Sequence, residues 1–174
     1  KRWPLYDRLV ACGPSVVNVA TKVRQALRQI DRVLDVFEPG QLALSFNGGK
    51  DSTVVMHLVM EACSMHPTHK FTHVQPIWFQ NTQHEFPEMV QYVTETAEEH
   101  FTYQKSLMNA TGQKLNRLWS IDIQQEQDFI DALVHLSQDT GIRCVMMGSR
   151  RSDPACRDLS PLALMDLAPI FLSS

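Results

Sequence analysis

The sequence predicts an α/β domain with a mostly parallel sheet and helices on both faces. Three observations predict it. Short apolar segments of strand length alternate with longer segments of helical periodicity, the pattern of a sheet built from crossover units. The segment Ile142–Met147, apolar apart from Arg143, ends in Gly148 and suits a strand buried on both faces. Two polar motifs directly follow predicted strands, and in such sheets ligands lie beyond the carboxyl ends of the strands.

The first long element is a helix over Gly13–Phe37. Its apolar residues Val16, Val19, Val23, Leu27, Ile30, Leu34 and Phe37 recur at helical spacing. Ser15 is the expected N-cap, and Pro39-Gly40 stops the run. Gln41–Phe46 reads as a strand and Ser52–Met65 as a helix. Phe71–Phe79 reads as a strand in which Pro76 marks a weak point or bulge. Pro87–His100 is a helix that opens with proline and Glu88 in its first turn. A third strand is expected over Phe101–Leu107 and a helix over Gln125–Gln138, with Phe129, Ile130, Leu133 and Leu136 inward. Ala168–Leu172 is the last expected strand.

The 174 residues, 44% hydrophobic and 20% charged, suit one soluble domain, with the first forty residues a helical segment packed on the rest. A net charge of −3 gives no argument for nucleic acid. No run is long and apolar enough for a membrane span. Cys12, Cys63, Cys144 and Cys156 form no C-x-x-C pair, so neither a zinc site nor a disulfide scaffold is expected. A cytoplasmic monomer is the expectation, with a mature organellar form as the alternative to that default. His66, His69 and His73 cluster at spacings that suit no standard metal site and read as solvated residues. His57 reads as structural. His84 is the only histidine expected near a site.

The first polar motif is Ser45-Phe46-Asn47-Gly48-Gly49-Lys50-Asp51-Ser52. Gly48 and Gly49 permit positive φ and close backbone approach. Their N–H groups and the start of the next helix make a concavity suited to phosphate. Lys50 adds a point charge, and Ser45 and Ser52 add hydroxyl donors. Asp51 either holds Mg²⁺ or caps the helix. The spacing is not the G-x-x-x-x-G-K-[ST] loop. The second motif, Met147-Gly148-Ser149-Arg150-Arg151-Ser152-Asp153-Pro154, places two arginines beside a glycine turn at a strand end, where they can hold phosphate.

Ser45–Ser52 resembles the PP-loop of the adenine-nucleotide α-hydrolase-like superfamily, which has a Rossmann-like three-layer fold. That superfamily includes ATP pyrophosphatases, phosphoadenylylsulfate reductases and eukaryotic-type FAD synthases. Phe46 and Asn47 within the loop make it most similar to the FAD synthases. Gly148–Pro154 is similar to the second signature of that family, and Trp78-Phe79 followed by Phe86-Pro87-Glu88 is a third match. The resemblance runs from about Leu42 to about Ile170. It implies transfer of the adenylyl group of ATP to FMN, giving FAD and pyrophosphate. Gly48, Gly49, Lys50, Ser45 and Ser52, with Phe46 in the loop, would hold the leaving pyrophosphate, and Gly148 would border the nucleotide. Asn47 would donate to the α-phosphate. Asp51 and Asp153 would organise Mg²⁺. The Trp78–Phe79 backbone would lie near adenine. Arg150, Arg151 and Asp166 would line the flavin or phosphate side.

Asp166 follows Met165 where the family has Thr, and Ala168-Pro169-Ile170 comes almost at once. A shortened or truncated acceptor half is therefore expected. Two rival readings are a sulfonucleotide-binding reductase-like enzyme and a catalytically inactive nucleotide-binding module.

Overall fold

The computed structural model describes residues 3–80, 85–101, 119–122 and 129–149. Among the described residues, four parallel strands form a sheet in the order β3-β2-β1-β4. They are β1 (Leu42–Ser45), β2 (Val74–Gln80), β3 (Trp119–Asp122) and β4 (Cys144–Met146). The helices are α1 (Pro4–Ala11), α2 (Val17–Val36), α3 (Lys50–Ser64), α4 (Pro87–Phe101) and α5 (Phe129–Thr140). The expected α/β architecture is present.

Alternation along β1 explains the layers. Leu42, Leu44 and Phe46 face a core built with α2, α3 and α4, together with Val74 and Trp78 of β2. Ala43 faces the opposite way, into a smaller cluster with Ile77, Leu133, Leu136 and Ile142. Leu42, Ala43 and Leu44 are all fully buried, as a strand covered on both faces requires. Each large apolar side chain buried this way contributes roughly 1.5–3 kcal/mol.

Several boundaries differ from expectation for local reasons. The Gly13–Phe37 helix is split: Pro14–Val16 is a 3₁₀ turn, and α2 starts at Val17. Ser15 lies inside that turn, and no side chain caps α2. Ala20 takes the buried position expected for Val19, which is about half exposed. Phe71–His73 is also a 3₁₀ turn, so β2 starts at Val74. β4 lies at one end of the described sheet and is half-buried, not covered on both faces. The third strand is Trp119–Asp122, while Phe101 ends α4 and the rest of the expected Phe101–Leu107 strand lies outside the described residues. Leu133 and Leu136 are buried on α5 as expected. The Ala168–Leu172 strand lies outside the described residues.

Pro76 sits inside β2, between two other strands. Phe46 N–H donates to the Ile77 carbonyl at 2.8 Å, which turns Ile77 toward β1 and Pro76 toward β3. Among the described residues the β2–β3 pairing begins at Ile77, opposite Trp119. The missing N–H of Pro76 therefore falls just before that ladder.

The α2–α3 packing is closed by two histidines. His66 Nε2 bonds Asp35 Oδ1 at 3.2 Å, while its Nδ1 accepts the His69 N–H at 3.2 Å and the Thr68 N–H at 3.4 Å. His69, read as solvated from the sequence, is buried. Its Nε2 donates to the Phe37 carbonyl at 2.9 Å, and its Nδ1 has no partner among the described residues. The His69 ring is thus held neutral by geometry, because a proton on its Nδ1 would be buried unpaired. Burial lowers the His69 pKa below 6.5, nearby His66 lowers it further, and the Phe37 bond and Glu38 oppose the shift. Burial also lowers the His73 pKa, with Lys70 and His69 adding to it.

The unfolded chain takes up these protons more readily than the folded one. The His69 contribution is complete above pH 6.5 and is lost as pH falls below that value through the lowered folded pKa. Urea denaturation between pH 7.5 and pH 5 should show stability falling by up to about 1.4 kcal/mol per pH unit for each such proton. His69→Asn should flatten that slope; an unchanged slope would assign it elsewhere.

Candidate active site

Strand order places the site. The chain moves from β1 to β2 to β3 in one direction, and β4 returns to the other side of β1. The crevice outside the carboxyl ends of β1 and β4 is thus a topological switch point. An open cleft of about 290 Å³ lies there. Ser45, Asn47, Gly49, Lys50, Asp51 and Ser52 line one side, and Met147, Gly148 and Ser149 the other. The two motifs, about a hundred residues apart, meet as expected. The volume is at the lower end of the roughly 300–1,000 Å³ typical of small-molecule sites.

The loop is held by its own polar groups. Asn47 Oδ1 accepts the Gly49 N–H at 3.0 Å and the Ser52 hydroxyl at 2.8 Å. The Gly49 N–H can only donate, so the Asn47 atom facing it must be the carbonyl oxygen. The Nδ2 amide is thereby directed away from the loop, on an exposed side chain at the cleft. The Gly49 N–H, expected to face phosphate, is used inside the loop. α3 begins at Lys50, with Gly49 at its N-cap and no side-chain cap bond there. The first turn of α3 brings the positive end of the helix dipole to the cleft at Lys50, while the Ser52 N lies against Gly148. Asp51 is the second residue of α3, so it does not occupy the N-cap position.

Two glycines are required sterically. Gly48 has φ +73°, and a Cβ there would lie 2.8 Å from Met89 Sδ, 2.8 Å from Val93 Cγ2 and 3.0 Å from Tyr92 Cδ1. α4 therefore backs the loop, a contact with no local signal in the sequence. A Cβ on Gly148 would lie 2.9 Å from the Asp51 carbonyl carbon and 2.9 Å from Ser52 N. The second motif is pressed onto the first turn of α3, backbone to backbone.

Other expected site residues are placed differently. The Phe46 side chain is fully buried in the core, because strand alternation points it with Leu42 and Leu44. Trp78 is also core, and its indole N–H has no partner among the described residues. Phe79 packs in the smaller cluster beside Ile77. Any ligand contact from Phe46 or Trp78 is limited to backbone. Ser52 is buried, with its hydroxyl directed into the loop rather than outward. Arg150, Arg151, Asp153, Asp166 and His84 lie outside the described residues. His57 is exposed on α3, with its ring edge-on to His100 at 6.4 Å. No group of three metal-ligating side chains exists among the described residues. No described helix is long and apolar enough to cross a membrane.

Gly148→Ala and Gly48→Ala should each lower stability by about 1–3 kcal/mol, the usual cost of overpacking. Displacing the α3 start should also weaken binding of ATP, the ligand that the sequence resemblance implies, roughly tenfold or more, equivalent to about 1.4 kcal/mol. Denaturation and titration calorimetry with ATP check the two effects; wild-type affinity in both variants would detach the glycines from the site.

Comparison with known proteins agrees with this geometry. A probable FAD synthase of Schizosaccharomyces pombe is 26% identical over 148 residues, covering 83% of this chain and 49% of that protein. A probable FAD synthase of Caenorhabditis briggsae is 31% identical over 58 residues, covering 33% of this chain and 11% of that protein. The chain spans about half the length of the Schizosaccharomyces pombe relative and a smaller part of the second. The crystal structure of Candida glabrata FMN adenylyltransferase in complex with FMN and the ATP analog AMPCPP superposes with a TM-score of 0.58 at 18% identity. That likeness is one of fold, over 82% of this chain and 48% of the other. The family model of the phosphoadenosine phosphosulfate reductase domain matches residues 41–167, from the start of β1 through the second motif. With most of its length matched and the PP-loop and Gly148 meeting at one sheet edge, the chain belongs to the phosphoadenosine phosphosulfate reductase domain family.

Proposed function

We propose that residues 1–174 form a single domain that acts as an FMN adenylyltransferase, an FAD synthase. The observation that carries this reading is the braced Asn47 amide at the mouth of the β1/β4 cleft. The likeness to two probable FAD synthases supports the choice of acceptor. The solved neighbour, which holds FMN together with an ATP analog, supports two substrates in one such fold.

In the proposed reaction a phosphate oxygen of FMN attacks the α-phosphorus of ATP. The bond from that phosphorus to the oxygen bridging the α- and β-phosphates breaks, and pyrophosphate leaves. FMN phosphate is ionised at neutral pH, so no general base is needed. The work left to the protein is positioning and charge neutralisation. The start of α3 and Lys50 hold the β- and γ-phosphates at the cleft. Asn47 Nδ2 donates to the α-phosphate as charge shifts there. Ser45 and Gly148 border the triphosphate, and the Trp78–Phe79 backbone lies at the strand end toward adenine. Arg150, Arg151 and Asp166 are assigned to the flavin or phosphate side.

Mg²⁺ fits the donors. Asp51 is a hard oxygen donor lining the cleft in which the triphosphate is proposed to lie. Asp51 would hold the ion, with Asp153 as its second carboxylate. The ion would neutralise triphosphate charge.

A sulfonucleotide reductase-like role is less favoured by the cysteines. None of the described cysteines lines the cleft. Cys144 starts β4, at the end of that strand away from Gly148, and burial pushes its thiol pKa up, disfavouring the thiolate.

The direct test is incubation with ATP, Mg²⁺ and FMN, followed by detection of FAD and pyrophosphate. Both products are expected, and their absence from the full-length protein would sink the proposal. Asn47→Ala should lower kcat roughly 100-fold, as removal of an oxyanion donor does, with a much smaller change in ATP affinity. An unchanged kcat would take Asn47 out of the mechanism.

A further inference from the structure

The Ser52 hydroxyl has one proton and two acceptors in reach. Asn47 Oδ1 lies at 2.8 Å and the Gly49 carbonyl at 2.9 Å. The Gly49 carbonyl already accepts the Thr53 N–H at 3.0 Å and the Thr53 hydroxyl at 2.9 Å. Those two bonds fill the two lone pairs of a carbonyl. Asn47 Oδ1, bonded otherwise only to the Gly49 N–H among the described residues, has one lone pair open to it. The Ser52 proton therefore belongs to Asn47.

We propose that Ser52 is a positioning residue that acts through Asn47, pinning its amide so that Nδ2 is held at the cleft. The inference rests on the adenylyl-transfer reading for its kinetic consequence, though not for its geometry. The Gly49 N–H decides which atom of the Asn47 amide faces inward, but a single bond leaves the side chain free to swing about it. The second bond removes that freedom. Ser52 is suited to the task because it cannot itself move. It is 6% exposed, it sits in the first turn of α3, and its backbone N lies under Gly148. A rigid donor thus holds an exposed one, and Thr53 releases Ser52 by saturating the competing carbonyl. An amide already aimed at its target avoids the cost of ordering it in the transition state.

Two roles for Ser52 predict different kinetics. A direct phosphate ligand would weaken ATP binding when removed. A positioning residue would lower kcat and leave binding nearly intact. Ser52→Ala, Asn47→Ala and the double variant should be compared for kcat and KM, alongside titration calorimetry with ATP and Mg²⁺.

The expected result for Ser52→Ala is a fall in kcat of about 3- to 10-fold, the size of one hydrogen bond, with dissociation of ATP changed less than about twofold. In the Asn47→Ala background the same change should cost nothing further, because the group that Ser52 positions is gone. Ser52→Cys, which keeps a weak donor in place, should recover part of the loss. A rise in the ATP dissociation constant matching the fall in kcat would make Ser52 a phosphate ligand instead. Equal losses with and without Asn47 would also overturn the proposal.

A readout independent of activity keeps the two readings apart. The Asn47 side-chain amide, assigned in nitrogen-15 spectra by its loss in Asn47→Ala, should give sharp resolved signals in the wild type. In Ser52→Ala they should move toward mobile, solvent-averaged positions. An unchanged amide would refute the positioning role even if FAD is made. A changed amide in a protein that makes no FAD would preserve it and remove the enzymatic reading.

Discussion

The cleft depends on β1 being held on all four sides. β2 and β4 pair with its two edges, and apolar clusters cover its two faces. A strand so enclosed cannot shift without breaking hydrogen bonds and opening the core. The loop that leaves its end therefore starts from a fixed point and a fixed direction. Phe46 extends this anchorage by one residue, with its side chain in the core and its N–H on Ile77. Directly after it the chain is free to serve a ligand. The change from scaffold to site happens between Phe46 and Asn47.

This explains why a residue inside a recognisable motif can be structural. Phe46 carries much of the resemblance on which the reading was built, yet its side chain never reaches the cleft. Ser52 is similar: its hydroxyl is spent within the loop. A motif holds residues that touch ligand beside residues that support them, and linear sequence cannot separate the two. Alternation along β1 separates them for Phe46. For Ser52, only the hydrogen-bond partners do.

Much of the fold was legible because it follows from periodicity. The helices after β1 and β2, the strands around Leu44 and Ile77, and the meeting of two motifs at one edge all come from local pattern and a general rule of parallel sheets. What escaped came from longer-range causes. α1 is only eight residues long, too short to announce itself, and it is stabilised by packing of Trp3 into the core and the bond from Leu5 N–H to Glu61 at 2.8 Å. The burial of His69 depends on a carbonyl 32 residues away. The support of Gly48 by Met89, Tyr92 and Val93 is a contact between elements joined through a whole strand. Local pattern also missed the Trp119–Asp122 strand, and Phe101 continues α4 instead of starting a strand.

Pro76 has an effect on this geometry beyond its own position. Were β3 to slide one step toward the start of β2, a carbonyl would meet the proline ring nitrogen, which has nothing to donate. The proline thus works as an end stop on that side: among the described residues the pairing lies past it, from Ile77 and Trp119 to Gln80 and Asp122. The alignment of the β2 and β3 tips is thereby tied to a missing donor inside β2 rather than to side-chain packing alone.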